Sequence, residues 1–351
     1  MPLLLDLMRS GSAAESRRPN SICLGLVNNM PDAALEATER QFVELLRAAA
    51  THTSVHLELF AVPEVSRADH VRRELAERYH DISELWSARL DGLIVTGNEP
   101  RAANLREEPY WPALARLIDW AQENTASTIW SCLAAHAAVL HADGIERRPL
   151  AEKCFGIFDC SAVAAHPLVE GIAQPLPVPH SRHNDLAEQP LLSCGYRLLT
   201  RSATAGVDMF VKEIRRAGDL ASCFVFFQGH PEYEADTLLR EYRRDVGRFL
   251  RGEREHYPAT PQGYFDPQAT AIVNAFRDRA VADRDNVRFA EFPMSAIEAG
   301  LAASWRSFAV GIYKNWFEYL KMRKAARPEI AAPAQRSRHG GGVIGAPAAY
   351  P

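Results

Sequence analysis

Short apolar runs alternate with longer stretches of helical periodicity through the first two thirds of the chain. These runs, four continuous and one alternating, predict buried strands at 92–96, 128–130, 222–227, 21–27 and 55–62. Helical patterns fill the intervals, at about 33–50, 67–78, 111–123, from 133 onward and at 235–250. Strands that alternate with helices indicate a parallel sheet covered on both faces. Because ligands collect where parallel strands end, we expect the functional site in the turns after these strands.

The pattern also divides the chain into regions. Residues 1–20 predict a flexible N-terminal arm, and 21–251 predict the α/β catalytic domain. Residues 252–325 form a predicted C-terminal extension packed on that domain, with helices near 269–279 and 303–324. Residues 326–351, rich in Pro, Ala, Gly and Arg, predict a disordered tail. The aromatic helix at 303–324 suits docking on the core or a dimer interface, and we expect a homodimer.

The amino-acid composition and net charge limit the classes of binding partner that we expect. The 351 residues are 47% hydrophobic and 24% charged with a net charge of -4, so neither nucleic acid nor a membrane is expected as a partner. Six cysteines occur without CxxC or metal-type spacing, which predicts free thiols in a reducing compartment and no metal site. The apolar run at the N-terminus is too short for a signal peptide or a membrane span. These features predict a cytoplasmic protein.

Cys132 stands at a junction between a predicted strand and a predicted helix. Residues 128–130 end a buried strand, and a helix-forming sequence without Gly or Pro begins at Leu133. The first N–H groups of that helix and its dipole would favour a thiolate and bind a developing oxyanion. The pattern therefore makes Cys132 a candidate nucleophile. The alternative is a small buried core residue, which is common for free cysteine.

His230 is the candidate partner for this thiol. It follows the most hydrophobic strand, at 222–227, and should therefore emerge on the same sheet edge as Cys132. Glu232 lies two residues further on and can hold the imidazole in one tautomer. The arrangement predicts a Cys-His-Glu triad. The alternative is that His230 and Glu232 only cap the following helix.

Five motifs occur together in a fixed order: a post-strand Cys132, Glu152-Lys153 before Phe155-Gly156, Pro179-His180-Ser181-Arg182, Gly229-His230-Pro231-Glu232-Tyr233 and Glu241-Tyr242-Arg243-Arg244-Asp245. In this order and spacing they resemble the homoserine O-acyltransferase family of methionine biosynthesis. The likeness extends to Gly263-Tyr264-Phe265-Asp266-Pro267 and Asn315-Trp316-Phe317-Glu318-Tyr319, and it covers roughly residues 20–322.

The resemblance implies a class I glutamine-amidotransferase-like fold, which is a flavodoxin-like, doubly wound parallel sheet, here with a C-terminal helical extension. It further implies a ping-pong transfer in which Cys132 accepts an acyl group from acyl-CoA and passes it to L-homoserine, with no bound cofactor. His230 would be the general base, oriented by Glu232. The implied oxyanion donors are the backbone N–H groups of Asn98 and Leu133.

The implied substrate-binding residues lie in three of the motifs, and they are Lys153, Ser181, Arg182 and Arg244. An amino-acid carboxylate calls for a cation such as Arg244, although helix periodicity places Arg243 closer to the apolar face than Arg244. We assign the role to Arg244 because of its position in the motif.

Two departures from the family pattern lie near the predicted site, and the first affects specificity. The loop at 96–101 differs from the family's Thr-Gly-Ala-Pro sequence, and it contains Arg101. Arg101 could pair with the free carboxylate of a succinyl group, which favours succinyl-CoA over acetyl-CoA as the donor. The second departure is His136, which replaces a Gln on an Ala-rich helix, where we expect packing rather than catalysis.

Two other functions remain possible from the sequence. A glutamine amidotransferase or related cysteine hydrolase would share the fold and the triad, but Cys132 lacks flanking glycines and the chain has no synthetase domain. A non-catalytic binding protein of the same fold is the other possibility. Retention of all three triad residues argues against it.

Overall fold

The computed structural model describes residues 5–7, 21–217 and 219–326. The strands in these ranges are β1 (Leu5–Leu7), β2 (Ser21–Val27), β3 (Ser54–Ala61), β4 (His80–Asp81), β5 (Gly92–Val95), β6 (Ser127–Ser131), β7 (Arg148–Ala162), β8 (Leu176–Asp185), β9 (Arg197–Leu198), β10 (Thr200–Ser202), β11 (Gly206–Val207), β12 (Met209–Arg216) and β13 (Asp219–Phe227). The α-helices are α1 (Asp32–Ala49), α2 (Asp69–Arg78), α3 (Ile82–Leu85), α4 (Trp111–Asn124), α5 (Leu133–Asp143), α6 (Glu188–Ser193), α7 (Thr237–Leu250), α8 (Pro267–Ala282), α9 (Met294–Glu298) and α10 (Arg306–Ala326).

The main sheet has the strand order β1-β3-β2-β5-β6-β13-β12-β9, with β4 beside β3. Neighbouring strands from β1 to β13 are parallel, whereas β12 pairs antiparallel with both β13 and β9. The central strands β3-β2-β5-β6-β13 follow the flavodoxin-like order, in which the first strand lies between the second and the third. The predicted α/β fold with a doubly wound parallel sheet is thus confirmed.

Helices cover both faces of this sheet. On one face, Phe42 of α1 and Trp316 of α10 belong to the same buried cluster as Leu24 of β2. On the opposite face, Ile118 of α4 and Ala138 of α5 form a second cluster with the remaining apolar side chains of the sheet. Burial on both faces explains why the central strands are almost continuously apolar.

The C-terminal helices pack against two parts of the α/β domain. Trp316 of α10 is fully buried, and its indole N–H donates to Ser127 Oγ of β6 at 3.0 Å. In a separate apolar cluster, Phe276 of α8 and Trp305 lie together with Tyr242 of α7. Residues of the predicted extension therefore pack directly against the α/β elements.

A second, antiparallel sheet has the order β11-β10-β7-β8. The polar residues 178–184 lack the apolar pattern that predicts a strand, but the structure places them within strand β8. His180 and Arg182 are buried on one face of this strand, while Ser181 points to the other. Because polar residues occupy even the buried face, the sequence shows no hydrophobic pattern for a strand here.

The predicted termini are described only in part. Within the predicted arm, Leu5–Leu7 forms strand β1 parallel to β3. Residues 1–4 and 8–20, and the predicted tail from 327 onward, lie outside the described residues. No helix in the described part of the chain combines the length and apolar character needed to cross a bilayer.

Candidate active site

Cys132 occupies a strained turn between β6 and α5. Its backbone has φ 51° and ψ −111°, a conformation that non-glycine residues rarely adopt. The Cys132 N–H donates to Phe227 O of β13 at 2.8 Å, and its carbonyl accepts from Ala135 N–H at 2.9 Å. These hydrogen bonds hold the strained residue between strand β13 and the N-terminus of α5. Such strain is typical of residues held in place for catalysis.

The parallel register brings His230 to the same edge. Phe227, the last residue of β13, lies opposite Ser131, the last residue of β6. The His230 N–H donates to Pro179 O at 2.8 Å, and the imidazole stacks on Tyr233 with a centroid distance of 4.2 Å. Interaction with Cys132 acts to raise the pKa of the His230 imidazole. The structure therefore brings together the two residues that the sequence assigned to one site.

Glu232 completes the set. Its Oε1 lies 2.8 Å from His230 Nδ1 and accepts from Ser131 Oγ at 3.4 Å. This contact assigns the Nδ1 proton to the Glu232 side and leaves Nε2 for Cys132. Burial lowers the pKa of His230, but the charges of Cys132 and Glu232 outweigh it and hold that pKa well above its ordinary value. The arrangement favours an imidazolium beside the sulfur.

Buried polar groups support the turn that carries His230. Gly229 N–H donates to Asp208 Oδ1 at 3.2 Å, and Thr200 Oγ1 donates to the other oxygen at 2.7 Å. Burial raises the pKa of Asp208 to about 6. A Cβ atom at position 229 would lie 2.5 Å from Val178 Cγ1 and 2.6 Å from Asp208 Oδ1. Only glycine allows this close approach of the turn to the second sheet.

The candidate oxyanion donors lie beside each other. Leu133 begins α5, and Asn98 lies in the loop after β5. Within the described ranges, neither backbone N–H has an intramolecular acceptor. A Cβ atom on Gly97 would lie 2.8 Å from Leu133 Cβ and 3.0 Å from Leu133 N, so glycine lets the loop approach the helix. Two free N–H groups near the nucleophile can bind a developing oxyanion.

We expect Gly97→Ala to lower kcat by about 10- to 1000-fold, since a methyl group would push Asn98 away from Leu133, and loss of one oxyanion donor has effects of this order. Steady-state rates with acyl-CoA and homoserine measure the change. Gly311→Ala in α10 is the matched control, because its added carbon has no neighbour closer than 3.4 Å. Equal rates for Gly97→Ala and wild type would contradict this role of the loop.

A partly buried carboxylate, that of Glu241, contacts two of the predicted substrate-binding residues. Glu241 Oε2 accepts from Ser181 Oγ and lies 3.3 Å from Lys153 Nζ, while Glu241 Oε1 accepts from Tyr233 Oη at 2.6 Å. Lys153 also lies 3.4 Å from Asp245. Lys153, Ser181 and the helix α7 therefore form one polar wall next to the triad.

The sequence analysis identified the motif at 241–245 but assigned no role to Glu241. Burial raises the pKa of this carboxyl, but Lys153, Ser181 and Tyr233 outweigh the effect and lower it. Glu241 thus stays ionised while largely buried. One sequence feature could have identified Glu241. It lies four residues before Asp245, which puts two carboxylates on one helix face, and in the structure both contact Lys153, the first lysine of the chain.

The structure separates the two adjacent arginines of α7. The Arg244 side chain is 47% exposed, and its Nε donates to Asp245 Oδ1 at 3.1 Å, next to the Lys153 site. The Arg243 guanidinium instead lies 4.4 Å from the ring centroid of Phe289. Of the two residues, Arg244 is the one at the polar wall.

Arg182, predicted as a substrate-binding residue, lies in the interior. Its guanidinium donates to Asp185 Oδ1 at 2.8 Å, to Asn184 O at 2.9 Å and to Ala205 O. Its Nε donates to His180 Nδ1 at 3.4 Å. Because these groups bind the guanidinium within the second sheet, the structure supports a structural role for Arg182 and not substrate contact.

His136 and Arg101 are also placed by the structure. Buried His136 lies 3.0 Å from Gln228 Oε1, and burial lowers the pKa of His136 to about 4, in agreement with the expected packing role. Arg101 is exposed on the loop before α4, where its backbone N–H donates to Glu108 Oε1 at 2.5 Å.

Comparison with known proteins agrees with the resemblance. A family model described as homoserine O-succinyltransferase matches residues 6–327. Three similar proteins carry the same description: one from Rhodopseudomonas palustris is 52% identical over 84% of this chain and 86% of its own length. One from Bradyrhizobium japonicum is 49% identical over 90% and 94%, and one from Methylorubrum extorquens is 48% identical over 86% and 88%.

Among solved structures, a glutamine amido transferase from Methylobacillus flagellatus aligns with a TM-score of 0.47 and 16% identity, covering 86% of this chain and 95% of its own. A likeness at this level adds nothing to the functional argument. The family model and the three relatives, in contrast, span most of the chain at high identity. The chain belongs to the homoserine O-succinyltransferase family.

Proposed function

We propose that this protein transfers a succinyl group from succinyl-CoA to the γ-hydroxyl of L-homoserine through a thioester on Cys132. The observation that carries the proposal is the Cys132–His230–Glu232 arrangement at the strained turn before α5. Membership of the family and the similar proteins described as homoserine O-succinyltransferases support the choice of donor and acceptor.

In the first half-reaction, the Cys132 thiolate attacks the thioester carbonyl of succinyl-CoA. The carbonyl oxygen becomes an oxyanion, which the N–H groups of Asn98 and Leu133 stabilise. Collapse of this intermediate breaks the bond to the CoA sulfur, and the His230 imidazolium supplies the proton for the departing thiolate. Cys132 then carries the succinyl group.

In the second half-reaction, neutral His230 accepts the proton of the homoserine hydroxyl through Nε2 as the oxygen attacks the thioester carbonyl. The same N–H groups stabilise the second oxyanion, and the Cys132 thiolate leaves. Glu232 stabilises the imidazolium that forms, through its 2.8 Å contact with Nδ1. O-succinylhomoserine departs, and the thiolate–imidazolium pair is restored.

The polar wall matches the charges of the acceptor. Arg244 offers a half-exposed guanidinium for the homoserine carboxylate. The Glu241 carboxylate complements the homoserine ammonium group, and Ser181 can form a neutral hydrogen bond. Lys153 keeps Glu241 ionised by direct contact at 3.3 Å. Acceptor recognition is therefore assigned to α7 and the strand pair β7–β8.

The remaining predictions form part of the same proposal. Acyl-CoA acts as a co-substrate with no bound cofactor, and Arg101 is the residue that the sequence suggests for choosing succinyl over acetyl. All six cysteines are free thiols, which supports a reducing, cytoplasmic location. The protein is proposed to act as a homodimer.

Intact-protein mass after mixing with each donor tests the proposal. With succinyl-CoA alone we expect a single succinyl adduct, which disappears when L-homoserine is added. An adduct with acetyl-CoA instead would make acetyl the donor. Absence of an adduct with either donor, together with hydrolysis of glutamine, would replace the acyltransferase with the cysteine hydrolase.

A further inference from the structure

Arg147, in the connection between α5 and β7, is attached to the loop that precedes α4. Its Nη2 donates to Ala103 O at 3.0 Å and to Ala102 O at 3.3 Å. The side chain is partly buried, and within 5–7, 21–217 and 219–326 no carboxylate oxygen lies within 4.0 Å of its guanidinium. A partly buried cation is thus oriented by carbonyl groups and has no anion in direct contact.

The carbonyl partners of Arg147 belong to the loop after β5 that also carries Asn98, a candidate oxyanion donor. Burial lowers the pKa of Arg147, whereas the charges of Tyr110, Glu108 and Cys132 act to raise it. Glu108, the nearby carboxylate, already has hydrogen-bond partners, because its Oε1 accepts from the backbone N–H groups of Ala102, at 2.6 Å, and of Arg101.

An apolar pocket lies between the same loop and α5. It is lined by the candidate oxyanion residues Asn98 and Leu133, and also by Tyr110. Tyr110 is 6% exposed, and its hydroxyl is buried without a hydrogen-bond partner among the residues the structure describes. A buried unpaired hydroxyl is costly, so its presence in the pocket wall indicates a ligand group that pairs with it.

We propose that Arg147 and Tyr110 bind the free carboxylate of the acyl group, and so make the enzyme select succinyl-CoA. The inference rests on the proposed function and names the part of the site that reads the donor. With the thioester carbonyl held at Asn98 and Leu133, the two methylene groups of succinyl would lie along the apolar pocket. The carboxylate would then meet the guanidinium and the phenolic hydroxyl, a charge-assisted pairing in a partly buried site.

This assignment differs from the one based on sequence, which used Arg101. The Arg101 side chain is exposed, and the contact that the structure gives this residue is made by its backbone. A charge pair in water contributes little, whereas a partly buried pair discriminates more strongly. Arg147 is therefore the better candidate for selecting the donor.

The test compares Arg147→Gln with wild type on succinyl-CoA and butyryl-CoA, which has the same chain length without the carboxylate, and on acetyl-CoA. We expect kcat/KM for succinyl-CoA to fall about 100-fold, in line with loss of a buried charge pair, and the other two donors to change less than about threefold. Tyr110→Phe should lower succinyl transfer about 10-fold with the same selectivity. Arg148→Gln is the matched control, since its side chain is 63% exposed and pairs with Asp185.

The outcomes separate the inference from the function on which it rests. A wild-type enzyme that accepts no acyl-CoA would overturn the proposed function. Equal losses on all three donors would mean that Arg147 only supports the loop, and would overturn the inference alone. The same holds if Arg101→Ala, and not Arg147→Gln, changes the ratio of succinyl to butyryl transfer. If Arg147→Gln does not fold, Tyr110→Phe decides the question, because it removes one hydroxyl and keeps the ring.

Discussion

Cys132→Ala is expected to abolish both the acyl-enzyme and turnover. The Cys132 sulfur is the atom that would carry the succinyl group. Alanine lacks this sulfur, so the variant leaves His230 without a nucleophile to activate. In triads, removal of the nucleophile lowers kcat by about 10⁴-fold or more, and the remaining rate comes from substrate binding and the oxyanion donors. Intact mass with succinyl-CoA and steady-state rates with homoserine measure the two losses.

Cys194→Ala is the matched control for this experiment. Cys194 is a partly buried free thiol at the end of α6, outside the proposed site, so its removal should leave the adduct and the rate unchanged. An adduct that persists in Cys132→Ala but is lost in Cys194→Ala would refute the assignment of the nucleophile.

A stability measurement separates loss of chemistry from loss of fold. Cys132 has φ 51°, and relief of such strain is worth about 1–3 kcal/mol. We therefore expect Cys132→Gly, which tolerates this backbone conformation, to unfold at a temperature equal to or above that of wild type although it is inactive. A large decrease in melting temperature would show that the thiol itself supports the fold.

Glu232→Gln is expected to lower kcat by about 100- to 10,000-fold, because loss of the orienting carboxylate in a triad has effects of this size. The substitution retains the shape of the side chain but removes the charge 2.8 Å from His230 Nδ1. Since Glu232 is one of two groups that raise the pKa of His230 against burial, that pKa should fall in the variant. The imidazolium would then lose its proton at a lower pH than in wild type.

Two measurements test this prediction. Steady-state rates give the loss of kcat, and an NMR titration of the His230 imidazole gives the direction of the pKa change. Glu234→Gln is the matched control, because Glu234 pairs with Arg40 at the surface and not with the imidazole, so both quantities should stay near wild type. An unchanged or higher His230 pKa in Glu232→Gln would contradict the role assigned to the carboxylate.

Much of the fold could be predicted because hydrophobic patterning is a local property. The apolar runs at 21–27 and 222–227 match β2 and the end of β13, and the family assignment made from the motifs is confirmed. The position of Cys132 and His230 at one sheet edge followed from the parallel arrangement alone. The second sheet was missed, since the polar strand β8 has neither an apolar run nor a simple alternation.

The sequence by itself determined the order of the central parallel strands and their helices, the family, and the candidate residues for the chemistry, since all of these depend on residue type and spacing along the chain. Tertiary structure alone decided which side chains meet. It placed Arg182 in an internal network, gathered Lys153 and Ser181 on Glu241, and left the buried Tyr110 hydroxyl unpaired among the residues that the structure describes. Such contacts join residues distant in the chain, and the cost of burying charged and polar groups determines which of them pair.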